Sequence, residues 1–182
     1  PIPLMSFIRR ITRSGRGNKQ EWSGKRRMVD MLELVKRYCY LPQTNGSNSL
    51  KYVLPAILNA SVALQAKYSK PIYGAEGGIK SHNFKDWQWA RNENGRVIDP
   101  YELLPRMFDD AFGKTQELIS DESELHDGGA AMIAYARAQY EEMGEYEREQ
   151  LFQALRKYCE LDTLAMVMLY EGWVDISRSL TR

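Results

Sequence analysis

The clearest chemical signal in the chain is a tyrosine and an aspartate four residues apart, Tyr158 and Asp162. They lie in a pattern from about Glu145 to Trp173, where Leu151, Leu155, Ala165, Met166 and Leu169 recur at three- and four-residue steps. That spacing predicts one long helix with a buried face, and it stacks Tyr158 and Asp162 one above the other on it. An unpartnered aspartate on an apolar face costs roughly 2–7 kcal/mol. Asp162 therefore needs a capped backbone, a cation or a metal. Two roles follow: a metal ligand, or a cap at a break between two helices, with Asp162-Thr163 starting the second. Tyr158 follows the same division, as a partner of a metal-bound carboxylate or as a core aromatic with its hydroxyl at the surface.

The second signal is charge. Residues 1–27 hold eight basic side chains (Arg9, Arg10, Arg13, Arg16, Lys19, Lys25, Arg26 and Arg27) against Glu21 alone, a net +7; the remainder carries a net −6. Such a run is either a solvated arm or a patch that contacts phosphates, whose binding would fall steeply with salt. In the second reading Arg9, Arg10, Arg13, Arg26 and Arg27 are the nucleic-acid contacts. Lys51, near a helix start, divides the same way between phosphate contact and solvation. Asp30 reads as a helix N-cap in preference to a metal ligand. Trp87 and Trp89 alternate as strand residues do, and either anchor their loop or stack bases. Glu141, Glu142, Glu145, Glu147 and Glu149 read as a solvated face.

The elements that must position these residues are mostly helical. A chain of 182 residues is long enough for one domain with a real core. Its 43% hydrophobic and 27% charged residues are ordinary for a globular protein. No apolar run is long enough to span a membrane. Two cysteines and two histidines argue against a disulfide framework and a His-rich or zinc site, and a reducing, cytoplasmic setting is expected. The opening Pro-Ile-Pro suits a truncated internal start better than a targeting helix. Pro1 to Ser14 fits either a short strand or one helical turn, and Gly15 to Ser23 reads as a loop. Helices are expected over Arg27–Tyr38, with Val29, Leu32, Leu34, Val35 and Tyr38 buried, and over Leu50–Ala60, capped by Ser47 or Ser49 and kinked or split by Pro55. Further helices are expected over Val62–Tyr68, Pro100–Phe112 and Gly128–Met143, the last capped by Asp127 and ended by Gly144. Residues 71–99 read as loop, 113–127 as an exposed acidic loop, and 177–182 as a fraying tail.

Three segments in order carry a resemblance to a known family. They are Val29-Asp-Met-Leu-Glu-Leu34; Gly46-Ser-Asn-Ser-Leu-Lys-Tyr-Val-Leu-Pro55; and Gly128-Gly-Ala-Ala-Met-Ile-Ala-Tyr135 followed by Tyr158-Cys-Glu-Leu-Asp-Thr-Leu-Ala-Met166. Together they resemble an uncharacterised bacterial domain-of-unknown-function family of the RNase H-like superfamily, similar to RecB-associated nucleases. Tyr158-x-x-x-Asp162 resembles the third motif of its DEDD exonucleases of the tyrosine type. The resemblance implies that Asp162 binds a divalent metal, Mg²⁺ or Mn²⁺, and that Tyr158 orients the attacking water. Such chemistry needs four carboxylates around two metals about 3.5–4 Å apart. The family's Asp-x-Glu motif occurs nowhere in this chain, and no Asp occurs in residues 1–29.

The expectation is therefore a mainly α chain, α+β at most, forming the C-terminal, helix-rich portion of an RNase H-like α/β domain whose N-terminal strands are absent. It would comprise a basic arm (1–27), the RNase H-like part (28–176, with an irregular insertion at 61–127) and a tail (177–182). The expected function is that of a fragment of a metal-dependent 3′–5′ exonuclease-like domain acting on DNA or RNA, inactive alone. The alternative is a non-catalytic module that kept the fold and binds nucleic acid or protein. Expected partners are nucleic acid, the upstream part of the same parent protein and, through exposed helix faces, further copies of the chain; no membrane is expected.

Overall fold

The computed structural model describes residues 2–15, 17, 21–104 and 128–181. The chain divides into two compact units, Pro1–Tyr40 and Leu41–Arg182. It is mainly α: the sheet among the described residues is one two-stranded hairpin.

The first unit holds α1 (Ile2–Ile11) and α2 (Met31–Tyr38). The segment left between strand and turn by its sequence is thus a helix of ten residues. Leu4, Phe7, Ile8 and Ile11 fall at the i, i+3, i+4, i+7 spacing of one helical face. The chain then doubles back, and the N–H groups of Gly24, Arg26 and Met28 donate to the carbonyls of Thr12, Arg10 and Ile11 at 2.8, 3.0 and 2.8 Å. These bonds satisfy acceptors that a helix end leaves open. Asp30 caps α2 as its type predicts, accepting the N–H of Leu32 at 2.9 Å and that of Glu33. The buried face of α2 is narrower than its periodicity suggests: Val35 is buried, whereas Val29, Leu32 and Tyr38 are exposed.

The second unit is built around one helix. A 3₁₀ turn (Pro42–Thr44) leads to α3 (Leu50–Ala60) and α4 (Val62–Tyr68); α5 (Gly128–Tyr140) and α6 (Glu145–Leu180) follow. Between them lies a hairpin, β1 (Asn92–Glu93) with β2 (Arg96–Val97), in the register Asn92↔Val97 and Glu93↔Arg96. Its turn, Asn94-Gly95, takes φ of 51° and 80°, the left-handed pair that a tight two-residue hairpin demands.

Several expectations are corrected here. α3 runs unbroken through Pro55, and Asn59 Nδ2 donates to the Pro55 carbonyl at 2.8 Å. Ser49 stands at the N-cap of α3 without a side-chain cap bond. Ser61 caps α4 instead, accepting the Leu64 N–H at 3.1 Å. Residues 100–104 form hydrogen-bonded turns and a bend rather than a helix; residues 105–112 of the segment expected to be helical, the acidic loop and Asp127 lie outside the described residues. Gly144 takes φ −59° as the N-cap of α6, so it starts that helix and does not end α5 in a left-handed turn. α6 passes without interruption through Asp162 and on to Leu180, which removes the reading of Asp162 as a cap at a helix break.

The core of the second unit is the seam between α6 and the α3–α4 pair. Val53, Leu54, Ile57, Leu58 and Leu64 on one side, and Leu161, Leu164, Ala165, Met168 and Leu169 on the other, are buried. At Gly172 an added Cβ would lie 2.5 Å from Ile57 Cγ1 and 3.0 Å from Leu64 Cδ1. Overpacking of this kind costs about 1–3 kcal/mol, more than the fraction of a kcal/mol that valine gains over glycine in helix propensity. Gly172→Val should therefore lower the urea midpoint with an unchanged m-value; a variant as stable as the wild type would contradict the close approach.

Candidate functional site

Tyr158 and Asp162 stand together, as their spacing requires, on one flank of α6, both half-buried. Among the described residues, Asp162 acquires a phenol as a partner. Tyr101, from the turn after the hairpin, donates its hydroxyl to Asp162 Oδ1 at 2.5 Å. The Tyr101 and Tyr158 rings are tilted against each other with centroids 5.7 Å apart. Lys51, in the first turn of α3, places its ammonium 5.3 Å from the Tyr101 ring centroid, a cation–π distance. Burial first, then the hydrogen bond to Asp162 and its charge, push the Tyr101 phenol far above its ordinary value. It stays protonated at neutral pH and acts as a donor. Sequence reasoning named Lys51, Tyr158 and Asp162 but missed Tyr101, which is 61 residues away from Asp162.

A second carboxylate on α6 was missed altogether. Glu160 lies on a different face from Asp162, since two residues along a helix turn through about 200°. It gathers three side-chain donors from one loop: the Tyr73 hydroxyl at 2.8 Å, the Ser81 hydroxyl at 2.5 Å and Asn83 Nδ2 at 2.5 Å. Ser81 Oγ also accepts the N–H groups of Asn83 and Phe84 at 3.2 and 2.9 Å. Burial opposes the charged form of Glu160, but the bonds from Ser81, Tyr73 and Asn83 outweigh it and hold the carboxyl below its ordinary value. The same loop carries the tryptophan pair. Tyr73, Phe84, Trp87 and Trp89 form an aromatic cluster with centroid separations of 4.9–5.9 Å. Trp89 is fully buried and Trp87 half-buried under Arg91, whose guanidinium lies 5.1 Å from its ring centroid. Both tryptophans anchor the loop.

Farther along α6, Glu171 pairs with Lys67 at 2.6 Å and accepts from the Tyr68 hydroxyl at 3.1 Å. Asp175 accepts from the buried Ser61 hydroxyl at 2.6 Å. Among the described residues, no group of three or more His, Cys, Asp or Glu side chains is placed to hold a metal ion. The described donors therefore do not fit a two-metal centre at Asp162. Glu141 and Glu149 pair with Arg137 at 2.9 Å and Arg156 at 3.1 Å on exposed surface, in keeping with a solvated acidic face.

In the first unit the fold brings the basic residues of two segments to one place. The return segment bonds Arg26 N–H to the Arg10 carbonyl, and Arg13 pairs with Ser23 in an antiparallel bridge. Arg9, Arg10, Arg13, Arg26 and Arg27 are exposed. The Arg9 guanidinium lies 5.7 Å from the centroid of the half-buried Trp22 ring. Arg16 and Lys19 lie outside the described residues.

Because the Glu160 carboxyl is held below its ordinary value, its contribution is complete above the ordinary carboxylate range and is lost as pH falls through the lowered value. Hydrogen bonds to a charged group are worth about 1.5–3 kcal/mol, so Glu160→Gln should destabilise the chain by roughly that amount at neutral pH. The gap to the wild type should close in acid. Urea denaturation as a function of pH reads both; a gap that stays constant in acid contradicts the role given to Glu160.

Comparison with known proteins yields no matching family model, no matching curated protein and no matching solved structure.

Proposed function

We propose that this chain is a nucleic-acid-binding portion of an RNase H-like, exonuclease-type domain, and that by itself it binds nucleic acid without hydrolysing it. The observation that carries the reading is the first unit. A backbone ladder between α1 and the return segment places Arg10 beside Arg26, and Arg13 beside Ser23. Residues 1–27 contain a single acid, Glu21. Clustered arginines of this kind neutralise phosphates and release counterions. The identity of the polymer as DNA or RNA is left to experiment, since phosphate contacts carry no sequence information.

A second reading keeps catalysis in a longer parent chain. It rests on the resemblance of Tyr158-x-x-x-Asp162 to the third exonuclease motif, and on the shared flank of α6 that both residues occupy. In that reading the remaining carboxylates, with Mg²⁺ or Mn²⁺, come from the upstream part of the parent protein.

The first reading is tested by oligonucleotide affinity as a function of salt. The logarithm of the binding constant should fall linearly with the logarithm of salt concentration. Substituting Arg10 and Arg26 together by Ala should reduce the steepness of that slope by about 2, one for each phosphate contact removed. A slope unchanged by the double substitution, or affinity independent of salt, contradicts it.

A further inference from the structure

The described surroundings of Asp162 supply a donor where a divalent cation asks for converging oxygen acceptors. Tyr101 donates to Oδ1, and the Lys51 ammonium lies over the Tyr101 ring. The turn that carries Tyr101 is itself firmly built. Pro100 is fully buried. Asp99 Oδ1 accepts the Tyr101 N–H at 3.0 Å. The N–H groups of Glu102, Leu103 and Leu104 close onto the carbonyls of Asp99, Pro100 and Tyr101 at 2.9, 3.2 and 3.3 Å. The phenol is thus delivered to Asp162 by a hydrogen-bonded turn, and its ring leans on Tyr158 one helical turn away.

We propose that Asp162 in this chain is the anchor that ties the Tyr101 turn to α6, and not a metal ligand. Tyr158 forms the wall against which the phenol rests, and Lys51 brings the start of α3 to the same ring. The Tyr-x-x-x-Asp pattern is then used for assembly, joining three elements that are distant in sequence. This inference stands on the geometry around Asp162 and is independent of nucleic-acid binding by the first unit: loss of the arginine-dependent affinity would leave it untouched.

Two measurements on the full chain test it. The first is a double-mutant cycle in urea with Tyr101→Phe, Asp162→Asn and both substitutions; Tyr101→Phe keeps the ring and removes only the donor. Each single variant should lower the denaturation midpoint, and the double variant should fall little further, because both remove the same bond. Losses that simply add overturn the proposal. The second is a Mn²⁺ titration of the unmodified chain, followed by paramagnetic broadening of backbone amide signals, which needs no variant to fold. Signals of residues 158–166 should show no broadening that depends on Asp162. Broadening centred on Asp162 and removed by Asp162→Asn overturns the proposal and favours the metal-dependent reading.

Discussion

No side chain fits between α6 and the α3–α4 pair at residue 172. A Cβ there would meet Ile57 and Leu64 within 3.0 Å, so the helices approach as closely as backbone and aliphatic side chains allow. Helices α3, α4 and α6 of the second unit pack along the same seam. It fixes which faces of α6 are buried, with Leu161, Leu164, Ala165, Met168 and Leu169 turned inward. It thereby places the polar residues of α6 on the flanks of the seam. The flanks are half-buried, which is why their carboxylates need partners and why each one shapes a neighbouring segment.

Among the described residues, those partners are mostly neutral hydroxyls. Glu160 is met by Tyr73, Ser81 and Asn83, Asp162 by Tyr101 and Asp175 by Ser61. Glu171 adds the Lys67 ammonium to the Tyr68 hydroxyl. A neutral donor satisfies a carboxylate without a second desolvated charge, whereas a buried ion pair must recover the hydration of both ions. The phenols respond in the expected direction: burial and the adjacent carboxylates push Tyr68, Tyr73 and Tyr101 up, so each remains a donor. The loop that bears the aromatic cluster and the turn that bears Tyr101 are therefore tied to opposite flanks of one helix by the same chemistry.

What could be read from the sequence was local. The long helix, the stacking of Tyr158 on Asp162 and the capping of α2 by Asp30 depend on residues within a turn or two of each other, and periodicity or residue type reveals them. The helix carrying Arg9 and Arg10 was ambiguous because its apolar spacing extends over only ten residues. The hairpin at Asn94-Gly95 carried a readable signal, a dipeptide suited to left-handed turns, that was not used. Tyr101, Glu160 and its three donors were not legible at all. Their bonds cross 61 to 87 residues, and nothing in the local pattern of an acidic residue on a helix flank tells which distant hydroxyl will reach it. The exposed face of α2 shows the opposite error: an apolar periodicity read as burial although the structure buries only Val35.

The roles proposed for the chain are nucleic-acid binding through the clustered arginines of the first unit and assembly through its Tyr-x-x-x-Asp pair. The most direct test is to incubate the full chain with an end-labelled oligonucleotide and Mn²⁺, then divide the sample between a native and a denaturing gel. The account predicts a retarded band on the native gel and a full-length strand on the denaturing one. Progressive shortening of the strand that disappears with Asp162→Asn would contradict it and return Asp162 to the chemistry of hydrolysis.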